Sequence, residues 1–144
     1  MNAYIAALKA AGIRIGVITN HNKFDYEEFE ALRRAARRQG IGLMPGVELS
    51  VADGANGVHT LVVFSDQWLE NGVDHINPFL TASFAGRPPD QYEQENQRSN
   101  EDLLSTLARL DAANRDFLVP AAQRRAALRP PQLPEWWRAD GGVR

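Results

Sequence analysis

Ile13-Arg14-Ile15-Gly16-Val17-Ile18-Thr19-Asn20-His21-Asn22 is the stretch on which the fold of this chain turns. Ile and Val dominate its first half, which predicts a short buried strand over Ile13 to Thr19. Its second half is polar and carries a histidine. Ile41 to Met44 repeats the pattern, closed by Pro45-Gly46-Val47-Glu48-Leu49-Ser50, and His59 opens a third apolar stretch, Thr60 to Phe64. A histidine and a glutamate at the ends of successive strands, with another histidine at the next, is how a metal site is assembled at one rim of an α/β barrel. The expectation is a metal-dependent hydrolase with only part of its site present.

The flanking sequence supplies helices. Ala3 to Ala11 has an apolar stripe of Tyr4 or Ile5, Leu8 and Ala11, with Gly12 placed to end it. Asp25 and Glu28 have capping-box spacing and open a helix from about Tyr26 to Gln39, with Phe29, Leu32 and Ala36 inward and Gly40 as the stop. Arg33, Arg34, Arg37 and Arg38 lie near its C-terminal end, where the helix dipole favours cations; a solvated helix end explains them better than a phosphate site. Pro45-Gly46 is expected to break the second strand, with Val47 to Val51 continuing extended, and Asp53 to Gly57 is turn chemistry. The stretches 47–51 and 59–64 pair as a hairpin or lie side by side. Asn77-Pro78 reads as a helix start. Gly86 to Arg98 reads as loop. Ser99 and Asp102 resemble a second capping box, opening a helix to about Ala113 with Leu103, Leu104, Leu107 and Leu110 inside, and Asp116 to Pro120 begins one more strand. Strands alternating with helices imply parallel pairing through right-handed crossovers.

Composition narrows the function classes. The 144 residues, 44% hydrophobic and 24% charged, fit one domain of ordinary globular type. The formal net charge of −2 gives no reason to expect nucleic-acid or membrane binding from charge alone. With no cysteine, disulfides and thiolate ligands are excluded, so a metal would have to use histidine and carboxylate. No apolar run approaches the roughly 20 residues that span a bilayer. The first residues lack a signal peptide's basic start and apolar stretch, so a cytoplasmic location is expected. Residues 1–120 hold 11 Lys and Arg against 16 Asp and Glu, whereas residues 121–144 hold 5 Arg against 2 acids, with three prolines and Trp136-Trp137. This change marks a boundary between a 1–120 domain and an Arg/Pro/Trp-rich tail, expected to be disordered or the product of a shifted reading frame.

Imidazole and carboxylate suit Zn²⁺, Mn²⁺ or Fe²⁺, and a hydrolytic site adds an open position where the metal activates water. His21, Glu48 and His59 are the candidate ligands. Asp25 and Asp53 are near in sequence, but cap and turn roles explain them. His75 has no assigned role.

Ile18-Thr19-Asn20-His21-Asn22, then a helix, then Met44-Pro45-Gly46-Val47-Glu48-Leu49-Ser50-Val51, then Val58-His59-Thr60-Leu61, resembles the PHP (polymerase and histidinol phosphatase) domain family. The likeness is specific over about residues 3–66 and looser to about 120. Val58 to Trp68 and Tyr92 to Ser99 further resemble PHP domains at the N-terminus of large ATPase-linked proteins. The resemblance implies an incomplete distorted (β/α)7 barrel, lacking its first strand and its C-terminal portion. It implies a divalent metal held by His21, Glu48 and His59, with Glu48 and His21 serving catalysis, and a phosphoester substrate, nucleotides and nucleic acid included. Three features depart from the family. Asn20 stands where it has Asp, so it would orient His21 without a charge. The opening His-x-His motif and the later His and Asp-x-His ligands are absent. The chain is therefore expected to be a truncated hydrolase domain with little activity alone. The rival expectation is a non-catalytic interaction module of an ATPase or DNA polymerase system, for which an unpaired sheet edge would favour association.

Overall fold

Capping residues set the helices where the local chemistry demands. In the computed structural model, which describes residues 2–120, Asn2 caps α1 (Ala3–Ala10) and Asp25 caps α2 (Tyr26–Arg37), its carboxylate accepting from the Glu28 N–H at 2.9 Å. Gly12 and Gly40, both at positive φ, turn the chain out of these two helices into strands. The strands are β1 (Ile15–His21), β2 (Gly42–Val51), β3 (Val58–Phe64) and the short β4 (Phe117–Leu118). Between β3 and β4 run a 3₁₀ segment (Asp66–Gly72), α3 (Ile76–Ser83), α4 (Pro89–Tyr92) and α5 (Leu103–Ala112). Residues 121–144, the expected tail, lie outside the described residues.

The sheet has the order β1-β2-β3-β4. β1 and β2 are parallel, joined by α2 as the crossover. β2 and β3 are antiparallel, as are β3 and β4. The sheet is mixed and open, which corrects the expected (β/α)7 barrel. The reason lies in the connections. Ala52 to Gly57 is too short for a parallel crossover, which takes a dozen residues or more, so β3 must turn back on β2. The alternation of strand and helix therefore holds for one unit only.

Two backbone bonds fix which groups meet across β1 and β2. The Gly42 N–H donates to the Arg14 carbonyl and the Asn22 N–H to the Glu48 carbonyl, each at 2.8 Å. Parallel ladders bond through alternate residues, so even-numbered residues of β2 face β1 and odd-numbered ones face β3. Pro45, which lacks an N–H, thus has its gap on the β3 side, beside the first β2–β3 pair, Gly46 with Val63. That placement lets Pro45 sit inside β2, which runs unbroken where a break was expected.

One face of the sheet carries the core. Leu43, Val47, Leu49, Val51, Val62 and Phe64 are buried on it, with Phe29 and Ala36 of α2 and Ile76 and Leu80 of α3 in the same core. Full burial of a side chain of this size contributes roughly 1.5–3 kcal/mol. Phe64, Trp68 and Phe79 meet edge-on, and Phe84 stacks on Tyr92 at 4.5 Å. In α5, Leu110 is buried and Leu103 and Leu107 pack against the core, but Leu104, expected inside, is 77% exposed. The N-cap is Asp102 rather than Ser99, so the helix opens three residues later than the capping-box reading placed it, and Leu103, Thr106, Leu107 and Leu110 form its inward stripe. Ser99 instead donates to the Glu101 carbonyl. α3 likewise starts two residues before Pro78, with Asp74 accepting from the Ile76 and Asn77 N–H groups.

Candidate functional site

The register brings the candidate residues together. His21 lies opposite Glu48 across β1 and β2, and Glu48 lies opposite Leu61, two residues from His59 on β3. Side chains repeat every second residue in a strand, so His21, Glu48 and His59 emerge on one face. It is the face opposite the core, beside Val17, Met44 and Leu61. His59 Nδ1 is 2.6 Å from Glu48 Oε1, and the His21 and His59 rings lie 5.2 Å apart at 32°. Glu48 and His59 are half exposed; His21 is deeper.

The tautomers follow from the partners. A carboxylate only accepts, so the contact with Glu48 puts a proton on His59 Nδ1, and in the neutral ring Nε2 then carries the lone pair. His21 Nδ1 faces the Glu93 carbonyl at 3.5 Å, which favours the same tautomer. His21 Nε2 is buried and has no hydrogen-bond partner. A buried polar atom without a partner is costly and calls for an explanation. Imidazoles whose Nδ1–H is held by a carboxylate or a carbonyl are in the state that binds metal through Nε2. The donor types therefore fit a divalent metal. The closure does not: among the described residues no group of three or more His, Asp or Glu side chains is arranged to hold a metal ion. In the present rotamers Glu48 orients His59.

The sequence reading missed Asn22. It is fully buried at φ 49°, and its side chain accepts from the Ser50 N–H at 2.9 Å and donates to the carbonyls of Tyr92 and Gln97, each at 3.0 Å. Asparagine is among the few residues that tolerate this backbone region. It pins the segment Tyr92 to Gln97 over His21, which places the Glu93 carbonyl at Nδ1. The signal was present in the polar tip of the opening stretch, but an asparagine in a turn ordinarily reads as local turn chemistry. Asn20, expected to orient His21, alternates to the other face of β1 and does not do so. Beside His59 a cleft of about 500 Å³ is lined by Ser50, Asn56, Glu95, Asn96 and Arg98. Arg98 donates to the Ala55 carbonyl at 2.8 Å, which holds its guanidinium at the cleft.

The remaining candidates have structural partners. Asp25 caps α2. Asp53 accepts from the Leu103 N–H at 2.6 Å and so anchors the start of α5. His75 Nε2 accepts from Arg115, away from the other two histidines. Arg33 of the arginine cluster pairs with Asp66 and Glu30 and lies over the Phe29 ring. Among the described residues no helix is long and apolar enough to cross a membrane. No family model, curated protein or solved structure matches this chain.

Proposed function

We propose that the chain is a divalent-metal-binding domain of the phosphoester-hydrolase type, with His21, His59 and Glu48 as its metal-side residues. The observation that carries the reading is the buried, unpartnered Nε2 of His21, 5.2 Å ring to ring from a second histidine whose Nδ1 is held by Glu48. A bound Zn²⁺, Mn²⁺ or Fe²⁺ would supply Lewis acidity and lower the pKa of its water. The chain's own residues do the rest. The Glu93 carbonyl and Glu48 hold the two rings through Nδ1 and so turn each Nε2 away from these partners. Glu48 becomes a ligand if its side chain swings off His59. Arg98, at the mouth of the adjoining cleft, offers a cation to a phosphoryl oxygen, and Asn56 and Asn96 offer amide donors. With at most three ligands the affinity is modest and turnover slow.

Calorimetric titration of the full chain with Zn²⁺ and Mn²⁺, alongside p-nitrophenyl phosphate hydrolysis, tests this. The expected result is one saturable site, weakened about tenfold or more in His21→Ala and in His59→Ala. Hydrolysis should be slow, metal-dependent and reduced in Arg98→Ala. Binding that is absent, or unchanged in His21→Ala, overturns the metal reading. Normal metal binding with no metal-dependent hydrolysis overturns the hydrolase reading alone.

A further inference from the structure

The connection between β2 and β3 ends in an Asn-Gly pair, Asn56-Gly57. Its surroundings require the glycine. Gly57 sits at φ 76°, and a Cβ there would lie 2.9 Å from the Val51 carbonyl oxygen and 3.3 Å from Ser50 Oγ. The missing Cβ also leaves the Gly57 nitrogen uncrowded towards the side chain that precedes it. Gly54, Ala55 and Asn56 are all exposed at the tip of the loop. Asn56 also lines the cleft beside His59. Apart from His59, that lining carries one carboxylate, Glu95, and one guanidinium, Arg98, so its fixed charges balance. A second Asn-Gly pair, Asn71-Gly72, stands in a different setting. Asn71 has φ 55° and ψ 27°, inside a turn closed by the Val73 N–H donating to the Glu70 carbonyl at 3.0 Å. The Tyr26 hydroxyl donates to the Gly72 carbonyl at 3.3 Å.

We propose that Asn56-Gly57 is a self-modifying site, at which deamidation adds a carboxylate to the cleft beside His59. The Gly57 backbone nitrogen attacks the Asn56 side-chain carbonyl carbon. The new C–N bond closes a cyclic imide as the bond to the amide nitrogen breaks, and that nitrogen leaves as ammonia with the Gly57 proton. Water then opens the imide. Attack at the side-chain carbonyl gives aspartate, and attack at the backbone carbonyl gives isoaspartate. Either product leaves the cleft with two carboxylates against one guanidinium. The longer isoaspartyl backbone falls in a surface loop, where an added methylene is tolerated. Asn71 is held back by its geometry. At ψ 27° the Gly72 nitrogen lies nearly anti to the Asn71 Cβ, so ring closure must swing the peptide that the Glu70–Val73 and Tyr26–Gly72 bonds hold. The chemistry needs no metal and is independent of the function proposed above. On that function, an amide donor to a phosphoryl oxygen becomes a carboxylate that repels it.

The test is peptide mapping by mass spectrometry on the full chain aged at neutral pH, beside a sample aged unfolded in guanidinium chloride. Each asparagine is followed by the mass gained when an amide becomes an acid, and an isoaspartyl-specific methyltransferase labels the branched product. In the folded chain Asn56 should convert roughly tenfold or more faster than Asn71, whereas in denaturant the two rates should agree within about twofold. The aged folded protein should gain a form that binds an anion exchanger more tightly and co-elutes with Asn56→Asp, and Asn56→Gln should age without it. Three outcomes would overturn the proposal: Asn71 converting as fast as Asn56 in the folded chain, Asn56 still an amide when the unfolded chain has fully converted, or the same ratio of rates in both states. The mapping of the unaltered chain decides the matter even if a variant fails to fold.

Discussion

Asn22 is the residue with the most consequences per atom. Its side chain closes three hydrogen bonds to segments that are far apart in sequence, two of them buried and the one to Gln97 partly so. Asn22→Ala orphans the Ser50 N–H and two carbonyls, and places alanine at a positive φ. Each buried orphan costs about 1–3 kcal/mol, with solvent rescuing part of it, so a loss of about 3–4 kcal/mol is expected in urea unfolding. A loss below about 1 kcal/mol would show that the segment Tyr92 to Gln97 is held by other contacts. Gly46 is the second such position. A Cβ there would lie 2.6 Å from Val17 Cγ1 and 3.0 Å from the Val62 carbonyl oxygen. Gly46→Ala must therefore push β1 and β2 apart or twist Val17 off its rotamer, at a cost of about 1–3 kcal/mol despite the gain in chain stiffness. Thermal unfolding of the variant measures this directly, and an unchanged or higher Tm would contradict the close approach.

At the scale of elements, α5 carries a pH signature. The carboxyl of Asp102 is held below its ordinary value by the Ser105 N–H and then by the Ser105 hydroxyl. The folded pKa is depressed, so the stabilisation is present above the unfolded carboxylate pKa and is lost as pH falls through the folded value. Helix α5 should loosen below about pH 4, and Asp102→Asn should flatten that dependence without removing the cap. Amide exchange at Ser105 and Thr106 across pH 3 to 6 gives the readout; a dependence unchanged in Asp102→Asn would place the proton elsewhere. The same scale shows what was legible in the sequence. Helix α2 was readable from end to end because Asp25, Phe29, Ala36 and Gly40 each carry a local signal. Strand direction was not. Val, Ile and Leu fill a buried parallel strand and a buried antiparallel one alike, and only the length of Ala52 to Gly57 separates them. The face shared by His21, Glu48 and His59 follows from a two-residue period once the register is known. The tautomer of His21 depends on the carbonyl of Glu93, 72 positions away, a residue with no periodic signal of its own.

For the whole molecule, the opening stretch serves two ends of the structure at once. Its tip reaches the histidine pair and its flank is the outer strand of the sheet among the described residues. Asn22 joins this stretch to β2 and to the segment before α5, and that link has a kinetic meaning. Its bonds can close only when β1, β2 and the Tyr92–Gln97 segment have all arrived, whereas the β2–β3 hairpin needs a six-residue loop closure alone. Loop-closure entropy therefore predicts that the hairpin forms in the rate-limiting assembly and the Asn22 bonds after it. Asn22→Ala should leave the refolding rate in dilute denaturant nearly unchanged and raise the unfolding rate by roughly two to three orders of magnitude. The polar tip of β1 is then a latch: it has little part in finding the fold and sets how long the fold lasts.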